Sequence, residues 1–194
     1  MLILPDGPFE AFIFDVDGTI ADTMPLHFEA WTNALGEWSL FFPEEIFYSL
    51  GGTKTDRVAE IVRERANANF VVHDIVHHKE NYFMERLGKA APIRPVMEVI
   101  EKWRGKIPMA VASGGFRRVI DEILRGLNLQ DSFDAVITAE DVIHGKPDPE
   151  PFLKAAALLG VNPTKCLVFE DSPTGIAAAQ AAGMAWVEIT REMR

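Results

Sequence analysis

Asp15-Val16-Asp17-Gly18-Thr19 sets two carboxylates two residues apart, after the apolar run 11–14 and ahead of a Gly-Thr turn. Carboxylates aimed into one cavity repel, and one of them titrates upward unless a cation neutralises the pair. Hard oxygen ligands with room left for water favour Mg²⁺ over zinc. Asp and Gly also dominate solvated turns, so this segment alone leaves an ordinary exposed turn open. Other polar residues follow apolar runs in the same way. The run 109–112 leads into Ser113, and 166–169 leads into Glu170-Asp171. Lys146 follows the weaker run 135–137, in the turn Gly145-Lys146-Pro147-Asp148-Pro149. Ligands of open α/β sheets bind outside the carboxyl ends of the strands. These residues are therefore expected at one edge, with Asp171 completing a metal site and Lys146 beside it if strand directions agree. Gly114-Gly115 either opens backbone N–H groups toward an anion where a helix begins or is a plain strand-to-helix turn. No Gly-Lys-[Ser/Thr] occurs, which excludes a Walker-type nucleotide loop.

The elements that must position these groups are short. Runs 11–14, 109–112, 166–169 and 185–189, with 135–137 as a weaker fifth, are continuously apolar, as in parallel strands covered on both faces. Between them lie helical patterns at 95–104, 117–127, 150–159 and 174–182, the last two followed by Gly160 and Gly183. This alternation predicts an α/β fold, a Rossmann-like parallel sheet with right-handed crossovers. From Thr23 to Ala91 the alternation breaks into three helical patterns: Phe28, Trp31, Leu35 and Trp38; then Val58, Ile61, Val62 and Arg65; then Ile75, Tyr82, Phe83 and Leu87. The expected division is a core of 1–22 and 92–194 and an inserted helical cap of 23–91, with hinges near 22–25 and 90–95. The spacing of Trp31, Trp38, Trp103 and Trp186 suggests packing.

As an ordered set, Asp15-Val16-Asp17-Gly18-Thr19-Ile20-Ala21-Asp22-Thr23, Ser113, Gly145-Lys146-Pro147 and Phe169-Glu170-Asp171-Ser172 resemble the four motifs of the haloacid dehalogenase-like hydrolase superfamily. The resemblance covers nearly the whole chain. Within the superfamily the sequence is similar to the branch of β-phosphoglucomutases and small sugar phosphatases, most of all to bacterial fructose-1-phosphatases. The resemblance implies a Rossmann-like core with a helical cap inserted after the first motif. It also implies that Asp15 takes the phosphoryl group as an aspartyl-phosphate, and that Asp17 protonates the leaving oxygen and then activates water. Ser113 would hydrogen-bond the phosphoryl oxygens and Lys146 would neutralise them. Asp15, Asp17, Glu170 and Asp171 would hold Mg²⁺. A carboxylate cannot approach a phosphate dianion unless charge is removed, and Mg²⁺ with Lys146 would remove it. Candidate substrate contacts are Gly114, Gly115, His27, Lys54, Arg57 and Lys79.

In the mutases a cap-loop arginine grips the substrate's second phosphate, and that position aligns with Thr55 here. The departure favours a Mg²⁺-dependent phosphatase of a small sugar phosphate, such as fructose 1-phosphate or a sugar-acid phosphate, over a β-phosphoglucomutase. A dehalogenase attacks carbon without a metal and lacks the second aspartate. A non-enzymatic phosphate-ester binder need not keep Asp15, Asp17, Ser113, Lys146 and Asp171 together. The mutases also continue beyond the point where this chain stops, so a shorter sheet edge is expected.

Composition narrows the rest. With 19 Lys+Arg against 29 Asp+Glu, the net charge of −10 disfavours nucleic acid, which is bound by neutralising phosphates. A hydrophobic fraction of 48% excludes a disordered chain. No apolar stretch is long enough to span a bilayer, and Pro5, Asp6, Gly7 and Pro8 interrupt any signal-like start. A cytoplasmic monomer or weak dimer, without membrane or nucleic-acid partners, is the expectation. Cys166, the single cysteine, sits in an apolar run and reads as core rather than as a reactive thiol. His73, His77 and His78 share a helical segment without a complete ligand set, and read as a solvated polar face.

Overall fold

The computed structural model describes residues 2–193, so Met1 and Arg194, the outer bounds of the expected core, lie outside the described residues. β1 (Ala11–Phe14) leads through β2 (Ala21–Asp22) into helices α1 (Met24–Gly36), α2 (Glu44–Ser49), α3 (Thr55–Ala66) and α4 (Val72–Arg86), and β3 (Ala91–Pro92) returns the chain. Helices and strands then alternate: α5 (Arg94–Trp103), β4 (Met109–Ala112), α6 (Arg117–Gly126), β5 (Ala135–Ile137), α7 (Glu150–Leu159), β6 (Cys166–Glu170), α8 (Pro173–Ala181) and β7 (Ala185–Glu188). The main sheet is parallel, in the order β5-β4-β1-β6-β7. It is the Rossmann-like core, with an inserted helical subdomain, that the alternation predicts.

The two faces of the sheet are filled differently, because alternate residues of a strand point to opposite sides. On one face Phe12, Phe14, Leu167 and Phe169 meet Val96 and Ile100 of α5 and Ile120 and Ile123 of α6. The rings of Phe14 and Phe169 stack at 4.5 Å, and Phe12 meets Phe169 edge-on at 5.4 Å. On the other face Ala11, Ala110, Ala112 and Cys166 are small, and the alanines of α7 and α8 lie close against them. Cys166 is fully buried there, and burial pushes its thiol up to about 11, with Glu10 adding to the effect. It is core, as its surroundings in the sequence suggest.

The helices between β2 and β3 have a core of their own, built on Trp31, Leu35, Phe42, Phe47, Val62 and Phe70. β2 and β3 pair antiparallel, Ala21 with Pro92 and Asp22 with Ala91, so the chain leaves and re-enters through one narrow ribbon. Two details correct the sequence reading. The insertion holds a fourth helix, α2, which is only 6 residues long and too short to show a period. Trp38 is 44% exposed because α1 ends at Gly36, though its ring still meets Phe70 edge-on at 5.9 Å, and Trp186 is 38% exposed because β7 is an outer strand. Trp31 and Trp103 do pack, the latter edge-on to Phe12 at 5.5 Å. Among the described residues no helix is long and apolar enough to cross a membrane.

Register carries the fold to the site. Phe14 pairs with Val111 on one side and Phe169 on the other, so Asp15, Ala112 and Glu170 come level at the carboxyl edge. Phe169→Ala should cost about 3–5 kcal/mol, because the stacked layer cannot close over the space left. Urea unfolding measures it, and a loss below about 1 kcal/mol would show that this layer does not hold the sheet together.

Candidate active site

Lys146 lies at the centre of a buried charge cluster. Its Nζ donates to Asp15 Oδ1 at 2.7 Å and to Glu170 Oε1 at 2.6 Å, and the residue is 2% exposed. Glu170 also accepts from the Ser172 backbone N–H at 2.6 Å and from the Ser172 hydroxyl at 2.9 Å, at the start of α8. Gly175 makes that start sterically possible, since a Cβ there would stand 1.8 Å from Glu170 Oε1.

Carboxylate oxygens of Asp15, Glu170 and Asp171 lie within 4.8 Å of one another. All are hard oxygen donors without nitrogen or sulfur, a set that fits Mg²⁺. Charge argues the same way. Burial raises the Asp15 carboxyl to about 8, Glu170 and Asp17 adding to the rise and Lys146 opposing it. Burial alone would lower Lys146, but Asp15 and Glu170 hold it above the usual lysine range. One ammonium thus serves several buried carboxylates, and a divalent ion among the three oxygens would balance them.

Asp17, also expected as a metal ligand, is not in that trio; its carboxylate is engaged elsewhere. Its Oδ1 accepts from the Thr23 hydroxyl at 2.6 Å and lies 2.9 Å from His27 Nε2. His27 Nδ1 lies 2.8 Å from Lys79 Nζ. An ammonium only donates, so Nδ1 accepts and Nε2 carries the proton given to Asp17. The His27 ring is stacked on Phe83 at 4.0 Å, which holds that orientation. Burial would raise Asp17, but His27, Thr23 and Lys79 outweigh it and bring the carboxyl to about 2. Lys79, 2% exposed, also donates to Glu80 Oε1 at 2.8 Å, and Thr55 Oγ1 reaches the same oxygen at 3.4 Å.

One cavity joins these groups. Asp15, Asp17, Ser113, Gly114 and Gly115 line its core side; His27, Lys79 and Glu80 join Gly51, Gly52, Thr53 and Thr55 on the side of the inserted helices. Gly114 is closely covered, since a Cβ there would lie 2.5 Å from the Gly52 carbonyl oxygen. Ser113 Oγ accepts the Gly115 N–H at 3.0 Å, so that N–H already has a partner within the loop. Two expected contacts are not brought to the cavity. Lys54 donates to the carbonyls of Val142 at 2.6 Å and Ile143 at 3.3 Å, and Arg57 pairs with Glu60 and Glu64 along α3. Both line a separate cleft with the loop of Gly145 to Pro149 instead. Glu80 and the backbone of 51–53 are not among the contacts expected from sequence, where Thr55 stands out only for lacking the mutase arginine. A glutamate beside Lys79 on a long helix gives no signal until the helix face is known. The histidines stay apart from this: the His73 and His77 rings are 6.2 Å apart, and no three-ligand group among the described residues includes them.

Over residues 9–183 the chain matches the haloacid dehalogenase-like hydrolases. It is 38% identical over 181 residues to the fructose-1-phosphate phosphatase YqaB of Escherichia coli (strain K12), covering 93% of this chain and 96% of that protein. It is 31% identical over 186 residues to the β-phosphoglucomutase of Bacillus subtilis (strain 168), covering 90% and 80%. The crystal structure of CbbY from Rhodobacter sphaeroides in complex with xylulose-(1,5)bisphosphate superposes with a TM-score of 0.82 at 26% identity, covering 95% of this chain and 89% of that one.

The Asp15 shift makes a testable statement about ion binding. A carboxyl that titrates at about 8 when folded, against an ordinary 3.8, keeps a proton that the unfolded chain has lost. Its contribution to stability therefore falls as pH rises through that window. Mg²⁺ competes with the proton, so the rise in Tm on adding Mg²⁺ should grow from pH 5 to pH 8, read by circular dichroism melts. An equal rise at both pH values would mean that Asp15 does not take part in ion binding.

Proposed function

The chain belongs to the haloacid dehalogenase-like hydrolases, a phosphatase by its catalytic aspartate motif and fold, and we propose that it hydrolyses small sugar monophosphates, fructose 1-phosphate foremost. The observation that carries this reading is Lys146 held between Asp15 and Glu170, beneath a cavity that also receives Asp17 and Ser113. A Mg²⁺ held by Asp15, Glu170 and Asp171 would supply the positive charge that lets a carboxylate approach a phosphate ester.

The remaining work falls to side chains of this chain. An Asp15 carboxylate oxygen attacks phosphorus, the ester bond to the sugar oxygen breaks, and Asp17 gives that oxygen its proton. Asp17, now ionised, takes a proton from water as the water attacks phosphorus, and the bond between phosphorus and Asp15 breaks to release phosphate. Lys146 steadies charge on Asp15 throughout, and the Ser113 hydroxyl supports the phosphoryl oxygens. His27 and Thr23 favour ionised Asp17, the form needed for the second step. Entry of a phosphate dianion opposes that charge and returns Asp17 toward the acid needed for the first.

The mutase reading has relatives behind it but no observation in the cavity that favours it. Thr55, aligned with the mutase arginine, is buried against Glu80, and Lys79 is the single lysine or arginine lining the cavity among the described residues. A phosphate-release screen over hexose, pentose and sugar-acid phosphates tests the proposal. Fructose 1-phosphate should be among the best substrates, and Asp15→Asn should lower kcat at least roughly a thousandfold. EDTA should abolish turnover reversibly. Conversion of β-glucose 1-phosphate to glucose 6-phosphate without release of phosphate, given catalytic bisphosphate, would decide for the mutase.

A further inference from the structure

Glu80 is 5% exposed and its Oε2 has no hydrogen-bond partner among the described residues, while its Oε1 serves Lys79 and Thr55. Buried polar atoms are almost always paired, and an unpaired one is costly, more so when it carries charge. Glu80 lines the cavity, and the walls near it are apolar: Met24, Trp31, Phe47 and Val58. Those walls offer aliphatic or aromatic surface, with the Trp31 indole N–H as a donor and no charged or oxygen acceptor, so the glutamate is the side-chain acceptor on that side. It is linked to the reacting end by successive contacts of 2.8 Å to Lys79, 2.8 Å from Lys79 to His27, and 2.9 Å from His27 to Asp17. Lys79 is engaged by both Glu80 and His27 and is not a free cation for a second anion.

We infer that Glu80 is a specificity residue: Oε2 accepts a hydrogen bond from a hydroxyl of the bound sugar, and the carboxylate turns away substrates with a second phosphate or a carboxylate there. This rests on the sugar-phosphatase reading above. A neutral polyol supplies the missing donor, whereas a second phosphate or carboxylate would set only acceptor oxygens against Oε2, with Lys79 already engaged through Oε1. Specificity of this kind comes from a repulsive element as much as from an attractive one. A site whose acceptor is left unpaired also discriminates against analogues that lack the hydroxyl.

The test compares fructose 1-phosphate with fructose 1,6-bisphosphate, following the fructose or fructose 6-phosphate formed by cleavage at the 1-position. The wild-type protein should favour the monophosphate at least tenfold in kcat/KM. Glu80→Gln removes the charge and keeps the shape; it should narrow that preference at least tenfold, chiefly through a lower KM for the bisphosphate. A role only in folding would change both substrates alike. If the variant does not fold, the wild-type preference still decides. Equal use of both substrates by the wild type, or an unchanged preference in folded Glu80→Gln, overturns the inference and leaves the sugar-phosphatase reading intact. Release of phosphate from p-nitrophenyl phosphate but from no sugar phosphate overturns both.

Discussion

Lys146 holds its charge almost out of water, between Asp15 and Glu170. Desolvating ions is expensive, and the mutual attraction offsets it only where geometry is tight and the leftover donors and acceptors are engaged. Much of the core serves that condition. The pairing of β1 with β6 brings Asp15 level with Glu170, Ser172 supplies Glu170 with two donors, and Gly175 leaves room for the carboxylate. Removing Lys146 would leave the buried carboxylates uncompensated, at about 3–5 kcal/mol. The cluster is therefore a structural demand and a chemical resource at once. It keeps a cation under the carboxylate that is to meet a phosphate.

Asp15 and Asp17 show how far environment separates two identical side chains. Asp15 ends a buried strand among other carboxylates, and burial drives its carboxyl up to about 8. Asp17 sits in the bend that follows, where His27 and Thr23 overcome the same effect and hold it near 2. Pairs of carboxyls pushed apart in this way mark distinct roles in acid–base and nucleophilic chemistry. The helices of the insertion supply the difference, since His27 comes from α1 and Lys79 from α4. The subdomain that walls the cavity also tunes a residue of the core.

What the sequence made legible was the part governed by short-range pattern. Four fully buried residues followed by an acid or a serine read as a strand ending at a binding edge, and parallel register then places Asp15 and Glu170 side by side. Lys146 could be put in a loop at that edge, though its near-complete burial could not be foreseen from Gly145 and Pro147 around it. Cap residues were harder, because a helix pattern tells which residues share a face without telling what the face meets. Lys54 and Arg57 flank the position of interest in sequence, yet the start of α3 directs one to the carbonyls of Val142 and Ile143 and the other along its own helix. Glu80 gave no sign in sequence of a place in the cavity, because its significance lies in an unpaired oxygen that exists only once α4 is packed beside α3.

The proposed hydrolysis turns on a covalent bond between phosphorus and Asp15. The most direct measurement is borohydride trapping during turnover with Mg²⁺ present, followed by mass spectrometry of the digested chain. An acyl phosphate at Asp15 is reduced to the corresponding alcohol, so position 15 should be read as homoserine in substrate-treated protein and as aspartate in the untreated control. Substrate-dependent reduction at any other carboxylate, with Asp15 unchanged, would contradict the account.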